Sequence, residues 1–362
     1  MPRLALTGAG GFVGRHVISA ATAEGWEVAG LVRSEESART VTYAGGLPVH
    51  VPSLTVEALT SAFAGAAAVV HLAQIGSEKG GETFDAVNVE GTRAVAAAAR
   101  AAGVPRVVYF SGLGVAHYGM AARTTDRYFL SKLRAEAALF ESGLEVLAFR
   151  PSYIVGPRDG LVTSLLKQMA AGEVEQVGDG AYRMQPVAVR DAAAAVVAGI
   201  GGPTPAPAPG RGPHRVIELV GPQAVTFREF VDALAAVARD RRRPAEFRIR
   251  VVPVEEADRR AREGTGMPPE ELDCLLCDEI GDGRALESLL GRFLTPLDEA
   301  LSAACAGRPR RNGRARTSSR RECARPGWPP LPPAPPVARA WARGSGTRPA
   351  GPARGRPCAH TR

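Results

Sequence analysis

Short apolar runs alternate with longer stretches of helical period along the first 150 residues. Runs at 4–6, 27–32, 47–51, 68–73, 104–110 and 144–149 have the length and apolar continuity of strands buried on both faces. Between them the spacing predicts helices that begin at Phe12 and cover 56–63, 83–102 and 125–142, with Gly103 and Gly143 as stops. Strands alternating with helices in this way predict an α/β fold, a Rossmann-type doubly wound parallel sheet with right-handed crossovers.

Beyond Pro151 the pattern loosens. It predicts a helix over 161–171, a strand over 184–189, and an Ala/Val-rich helix with Asp191 as its N-cap. A proline-rich excursion at 203–213 precedes a strand over 216–220 and a helix over 226–239, which opens with the Thr226 to Glu229 spacing of a capping box. Helical period returns over 269–290, ahead of Leu294-Thr295-Pro296-Leu297. These pieces read as a small C-terminal α/β lobe over the C-terminal edge of the sheet. Residues 1–302 are thus expected to form one domain, its lobe drawn mainly from 151–302, and 303–362 a disordered Arg/Pro-rich tail.

Charge changes the picture only once it is located. The net charge of +8 invites a nucleic-acid reading, yet residues 307–362 hold 14 Arg, no Lys and one acid, so the tail alone carries +13. The remaining 306 residues are mildly acidic, which argues against nucleic acid as the ligand of the folded part. No apolar run approaches the roughly 20 residues of a membrane span. The chain enters its first strand without the pattern of a signal peptide, and five cysteines make no disulfide framework, so the expected compartment is the cytoplasm.

Two stretches carry candidate chemistry. Thr7-Gly8-Ala9-Gly10-Gly11-Phe12-Val13-Gly14 places glycines at 8, 11 and 14 between the first strand and the first helix. Glycines let the backbone turn tightly against a pyrophosphate, and a helix N-terminus offers it unpaired N–H groups. Tyr128 and Lys132, four apart on a helix, share one face, and an ammonium beside a phenol favours the phenolate needed for proton transfer. The strand end Phe110-Ser111-Gly112 is expected to point into the same crevice. Cys274 and Cys277 have redox-motif spacing without a second pair, and read as an incidental or buried pair.

Taken with Asn88-Val89-Glu90-Gly91-Thr92 and Arg150-Pro151-Ser152, these motifs resemble the extended and atypical short-chain dehydrogenase/reductases, often called the NAD-dependent epimerase/dehydratase family. Residues 185–191 and 294–301 are similar to the subgroup that contains the nucleotide-binding accessory subunit of respiratory complex I. The resemblance implies roles at matching positions. Tyr128 is the acid/base, Lys132 holds the nicotinamide ribose and tunes the tyrosine, and Asn88 helps position the lysine. Gly8, Gly11, Phe12 and Val13 form the pyrophosphate loop, Leu72 and Ala73 the strand end beside the cofactor, and Pro151 with Ser152 lies near the nicotinamide. The family's substrate-polarising hydroxyl position falls on Gly112, with Ser111 one place early. Neighbours on a strand face opposite ways, so Ser111 meets a substrate only if the strand end turns.

An NAD site usually ends its second strand in an acid that takes the ribose hydroxyls, whereas a 2′-phosphate needs a cation. Here that position is Arg33, with Ser34 beside it, and Arg15 is a second candidate cation. NADP(H) is the expected cofactor, with NAD(H) the alternative. Val51-Pro52-Ser53 lacks the adenine-side carboxylate common in the family. The expected partner is a small-molecule substrate, with a homodimer or a larger complex possible and no nucleic acid for the folded domain. Two functions are open: an oxidoreductase or epimerase/dehydratase using Tyr128 and Lys132, or a non-catalytic NADP(H)-binding subunit or redox sensor.

Overall fold

The computed structural model describes residues 1–120, 123, 127–202 and 214–306. The proline-rich excursion at 203–213, the start of the helix expected from 125, and the tail from 307 onward lie outside the described residues. In chain order the elements are β1 (Arg3–Thr7), α1 (Phe12–Ala23), β2 (Glu27–Val32), α2 (Glu35–Ala44), β3 (Leu47–His50), α3 (Val56–Phe63) and β4 (Ala68–His71). A π-helical turn (Asp85–Glu90) leads into α4 (Gly91–Ala101), then β5 (Arg106–Phe110), a 3-10 turn (Leu113–His117), α5 (Arg127–Phe140), β6 (Glu145–Pro151) and β7 (Ile154–Val155). There follow α6 (Gly160–Ala170), β8 (Glu173–Val177), β9 (Arg183–Met184), β10 (Val187–Ala188), α7 (Val189–Gly201), β11 (His214–Leu219), β12 (Val225–Thr226), α8 (Phe227–Asp240) and β13 (Arg248–Val252). The last elements are α9 (Val254–Glu263), α10 (Pro269–Leu276), α11 (Arg284–Leu290) and α12 (Leu297–Cys305).

Seven strands form one parallel sheet in the order β11-β6-β5-β4-β1-β2-β3. From β1 the chain moves outward to β2 and β3, then crosses back to β4 on the other side of β1. The loops after β1 and β4 therefore diverge, and a crevice opens at the strands' C-terminal ends. Period-two alternation feeds two cores. Leu4, Leu6, Val70, Val108 and Phe149 pack on one face with Val17 and Ile18 of α1 and Val196 of α7. Ala5, Val69, Val107, Tyr109 and Val146 pack on the other with Leu59 and Phe63 of α3 and Val95 of α4.

Several expectations change in the folded chain. The strand expected over 216–220 is not in the lobe: β11 joins the main sheet beside β6, with Val216 opposite Ala148. Helices α7 and α11 likewise contribute Val196 and Leu286 to a sheet core, so the chain after Pro151 passes repeatedly between sheet and lobe. Asp191 is not an N-cap. The helix begins two residues earlier at Val189, and the fully buried Asp191 carboxylate accepts from Arg292 Nη2 at 2.7 Å and Thr295 N at 2.7 Å, tying α7 to the approach to α12. The apolar run 184–189 is split into two short strands on different partners. The stretch 269–290 is two helices broken by a turn at 277–283.

The lobe has its own core, where Phe227, Phe230 and Leu234 of α8 meet Leu165, Val174, Val252 and Leu301. The capping box forms as the sequence indicates, Glu229 N donating to Thr226 Oγ1 at 3.1 Å and Thr226 N to Glu229 Oε2 at 2.8 Å. Residues Met1–Pro309 make one compact unit. Among the described residues no helix is long and apolar enough to cross a membrane.

Candidate active site

The glycine run closes the crevice at β1. Gly11 caps α1 and donates its N–H to Gly8 O at 3.0 Å, folding the loop back over the helix N-terminus. Gly8 has φ +69, and a Cβ there would lie 2.7 Å from the Leu72 carbonyl carbon. A Cβ at Gly14 would collide with Gly8 O. Both positions therefore require glycine, one for its backbone angle and both for close approach. The first-turn N–H groups of α1 stay open to an anion.

Beneath the loop runs a chain of buried polar groups. Thr92 Oγ1 donates to Asn88 O at 2.6 Å and so accepts from His71 Nε2 at 3.0 Å. That leaves His71 Nδ1 as the acceptor of the Thr7 hydroxyl at 2.7 Å, while Thr7 Oγ1 accepts from Ala73 N at 3.3 Å. The pattern assigns His71 a single neutral tautomer, protonated on Nε2. Burial, with Lys132 nearby, lowers its pKa to about 3. The chain of bonds links the end of β1, the strand end at Ala73 and the π-helical turn that presents Asn88.

Asn88 is buried and clamps the loop after β4 to α5. Its amide accepts from Ile75 N at 2.9 Å and donates to Ile75 O at 3.1 Å and Ser131 Oγ at 3.0 Å. It thus reaches the residue beside Lys132; among the described residues the lysine's own hydrogen bonds go elsewhere. Lys132 Nζ donates to Phe110 O at 2.5 Å and to Gln74 Oε1, and sits 4.6 Å from the Tyr109 ring centroid. Full burial brings the ammonium down to about 7, against the opposing pull of Glu136 one turn along α5. Glu136 is held by a bidentate pair with Arg150 at the end of β6.

Two clefts meet at the glycine loop. One, of about 870 Å³, is lined by Gly8, Gly10, Gly11, Arg33, Ser34, Ser37 and Ser53, with Leu72 to Ile75 along its floor. The other, of about 360 Å³, is lined by Phe12, Val13, Ser111, Gly112, Tyr128, Pro151 and Ser152, together with Tyr153, Cys274 and Glu279. Gly8, Gly11, Leu72 and Gln74 belong to both, so the two halves are continuous around the loop. The larger groove on one side and the smaller cleft on the other leave room for a dinucleotide that spans the Gly8–Gly11 loop.

The strand end at Ser111 stays extended, and the chain turns only at Leu113, after Gly112 at φ −150 and ψ 147. β5 stops at Phe110, Ser111 N donates to Phe149 O at 2.7 Å, and both Ser111 and Gly112 line the smaller cleft. Ser111 Oγ is buried with no hydrogen-bond partner among the described residues. A buried hydroxyl without a partner costs about 1–3 kcal/mol.

The two candidate cations separate. Arg33 lines the larger groove, exposed, and pairs there with Glu82 at 2.7 Å. Arg15 turns away: its Nη2 donates to Pro157 O at 2.7 Å, its guanidinium stacks over Phe12, and it lines neither cleft. The reason is the helix period, which carries Arg15 round to the lobe side of α1.

Residues 4–208 match the model of the NAD dependent epimerase/dehydratase family, more than half the chain. The chain belongs to that family. Among curated relatives it is 32% identical over 207 residues to a ceramide reductase of Caulobacter vibrioides, covering 54% of this chain and 60% of that one. It is 26% identical over 242 residues to a NADH dehydrogenase 1 alpha subcomplex subunit 9 of Arabidopsis thaliana, covering 64% and 57%. The chain thus spans about three fifths of the length of these relatives. Among solved structures, UDP-glucuronic acid 4-epimerase of Bacillus cereus with NAD superposes at TM-score 0.64 and 16% identity, covering 83% of this chain and 97% of that one. Bordetella bronchiseptica WbmH with NAD+ superposes at TM-score 0.63 and 22% identity, covering 84% and 97%. At these identities the structures establish the fold.

Against the family pattern, three residues of the site carry no motif. Gln74 follows the strand end at Leu72-Ala73, where a polar residue at the C-terminal edge of a parallel strand is itself a signal. Ser37 sits in the first turn of α2, a helix whose polar sequence hides it. Glu279 lies within a stretch whose period reads as unbroken helix. Cys274 lines the smaller cleft, and Cys274 and Cys277 form no disulfide.

Proposed function

We propose that the protein is an NADP(H)-dependent oxidoreductase acting on a small carbonyl or alcohol substrate. The observation that carries this reading is the placement of Tyr128 and the unpartnered Ser111 hydroxyl in one cleft that shares its wall with the glycine loop. When bound, the cofactor supplies or takes up a hydride at the substrate carbon. In the reductive direction Ser111 Oγ donates to the carbonyl oxygen, and Tyr128 gives its phenolic proton to the oxyanion as it forms. Lys132, on the same face of α5, is held by Gln74 and Phe110 and favours the phenolate that remains. Asn88 keeps α5 and the β4 loop in register for this.

NADP(H) is favoured over NAD(H) because Arg33, Ser34 and Ser37 cluster at the β2 end of the groove, with no carboxylate at that strand end to take ribose hydroxyls. The Arg33–Glu82 pair is exposed, and such pairs are worth about 0–1 kcal/mol, so it yields readily to a phosphate.

A second reading, a non-catalytic NADP(H)-binding subunit, draws on Lys132: two of the three N–H donors of its ammonium are already engaged within the protein. Tyr128→Phe separates the two. The reductase reading expects carbonyl-dependent NADPH oxidation to fall about 10²–10⁴-fold with cofactor affinity within twofold of wild type. Turnover unaffected by the substitution overturns the role of Tyr128, and no turnover of any carbonyl favours the second reading.

A further inference from the structure

The smaller cleft contains a carboxyl that the reaction above does not use. Glu279 sits in the turn between α10 and α11, 8% exposed, and lines the same cleft as Ser111 and Tyr128. Its backbone is pinned on both sides: its N–H donates to Arg183 O at 2.8 Å, and its carbonyl accepts from Ser152 Oγ at 2.9 Å. The side chain is what remains to meet a ligand. No hydrogen bond or ion pair reaches its carboxyl among the described residues, and no Lys, Arg or His lines the cleft.

The groups around it offer no compensation. Tyr153, between β6 and β7, and Tyr182, before β9, both stay protonated because burial and nearby acids raise their pKa values. Tyr128 comes from α5, Cys274 from α10 and Cys277 from its end. The neighbouring Asp278 is spent on Arg183 at 2.7 Å. Desolvation alone therefore lifts Glu279 to about 8, neutral below that pH and anionic above it.

We propose that Glu279 is a specificity-determining residue: its carboxyl hydrogen-bonds an uncharged polar group, a hydroxyl or amide, beside the reacting carbonyl, and it disfavours substrates with a carboxylate at that place. The inference rests on the oxidoreductase reading and narrows its substrate class to neutral 3-oxo or hydroxy-carbonyl compounds at the reacting end. A second anion in a cleft without cations meets an unscreened like charge whenever Glu279 is ionised.

Acetoacetamide and acetoacetate, alike in size and different in charge, test this with the full chain and NADPH. Between pH 6 and pH 9 the wild-type kcat/KM ratio of amide to acid should rise by about tenfold, the equivalent of one pKa unit of interaction. In Glu279→Gln, which keeps shape and hydrogen bonding without the charge, the ratio should stay flat. A flat wild-type ratio, or a rise that persists in Glu279→Gln, overturns the proposal. If neither compound is turned over, the reductase reading fails on that result. Calorimetric binding of the same two compounds to the protein with NADP+ then reads the ratio as Kd. Equal affinities at pH 9, or binding of neither, overturn the role of Glu279.

Discussion

The two halves of the crevice are built in opposite ways. The glycine-loop half is made of backbone: Gly8 and Gly14 pack against main-chain atoms, and the polar groups beneath them, Thr7, His71, Thr92 and Asn88, are satisfied among themselves. The half lined by Ser111, Tyr128 and Glu279 is made of side chains, and it retains a hydroxyl without a partner and a carboxyl without a counter-charge. The first half is complete before a ligand arrives. The second keeps polar groups that the described residues leave unpaired.

Gly8→Ala breaks the contrast most severely. The substitution forces an L side chain into φ +69 and against the Leu72 carbonyl, so nucleotide affinity should fall by at least about 100-fold, some 2.7 kcal/mol. Fluorescence titration with NADPH measures it, and a loss below threefold shows that the loop does not hold the phosphates. Arg33→Ala acts at the edge of the same half. It should weaken NADPH about tenfold and NADH less than twofold, and equal losses remove the case for the 2′-phosphate. Stability rather than affinity tests whether the layer under the loop is as closed as its hydrogen bonds indicate. His71 is neutral in the fold, with a pKa near 3 against 6.5 unfolded. The unfolded chain therefore binds a proton that the folded chain refuses, and stability declines as pH falls from 6.5 towards 3, by up to about 1.4 kcal/mol per pH unit. Urea midpoints across that range should fall less steeply, by one proton's worth, in His71→Asn; an unchanged slope means that His71 is not held neutral.

The strands of the sheet and the glycine loop were legible because local pattern and burial agree there. Val69-Val70 and Val107-Val108 are apolar on both faces, as a covered parallel sheet demands. The helices α2 and α9 were not. Glu35–Ala44 presents one buried residue, Val41, and Val254–Glu263 turns inward only the small Ala257 and Ala261 beside Val254, so each apolar stripe is thin against its charged residues. The parallel pair β8 and β13 escaped for another reason. Glu173 and Glu175 meet Arg248 and Arg250 across 75 residues of chain, and a strand held by distant partners has a weak local pattern.

What the sequence determined by itself was the platform: a Rossmann-type sheet, a glycine loop after its first strand, and Tyr128 and Lys132 on one helix. Each follows from residues a few positions apart, where helix and strand periods dictate geometry. Only the tertiary structure decided that β11 completes the sheet, that Gln74 engages Lys132, that Arg15 turns from the groove and that Glu279 enters the cleft. These depend on chain crossings over tens to more than a hundred residues. The physical reason is that burial and desolvation, which set the chemistry of Ser111, Lys132 and Glu279, arise from everything packed around a group and from no neighbour in sequence.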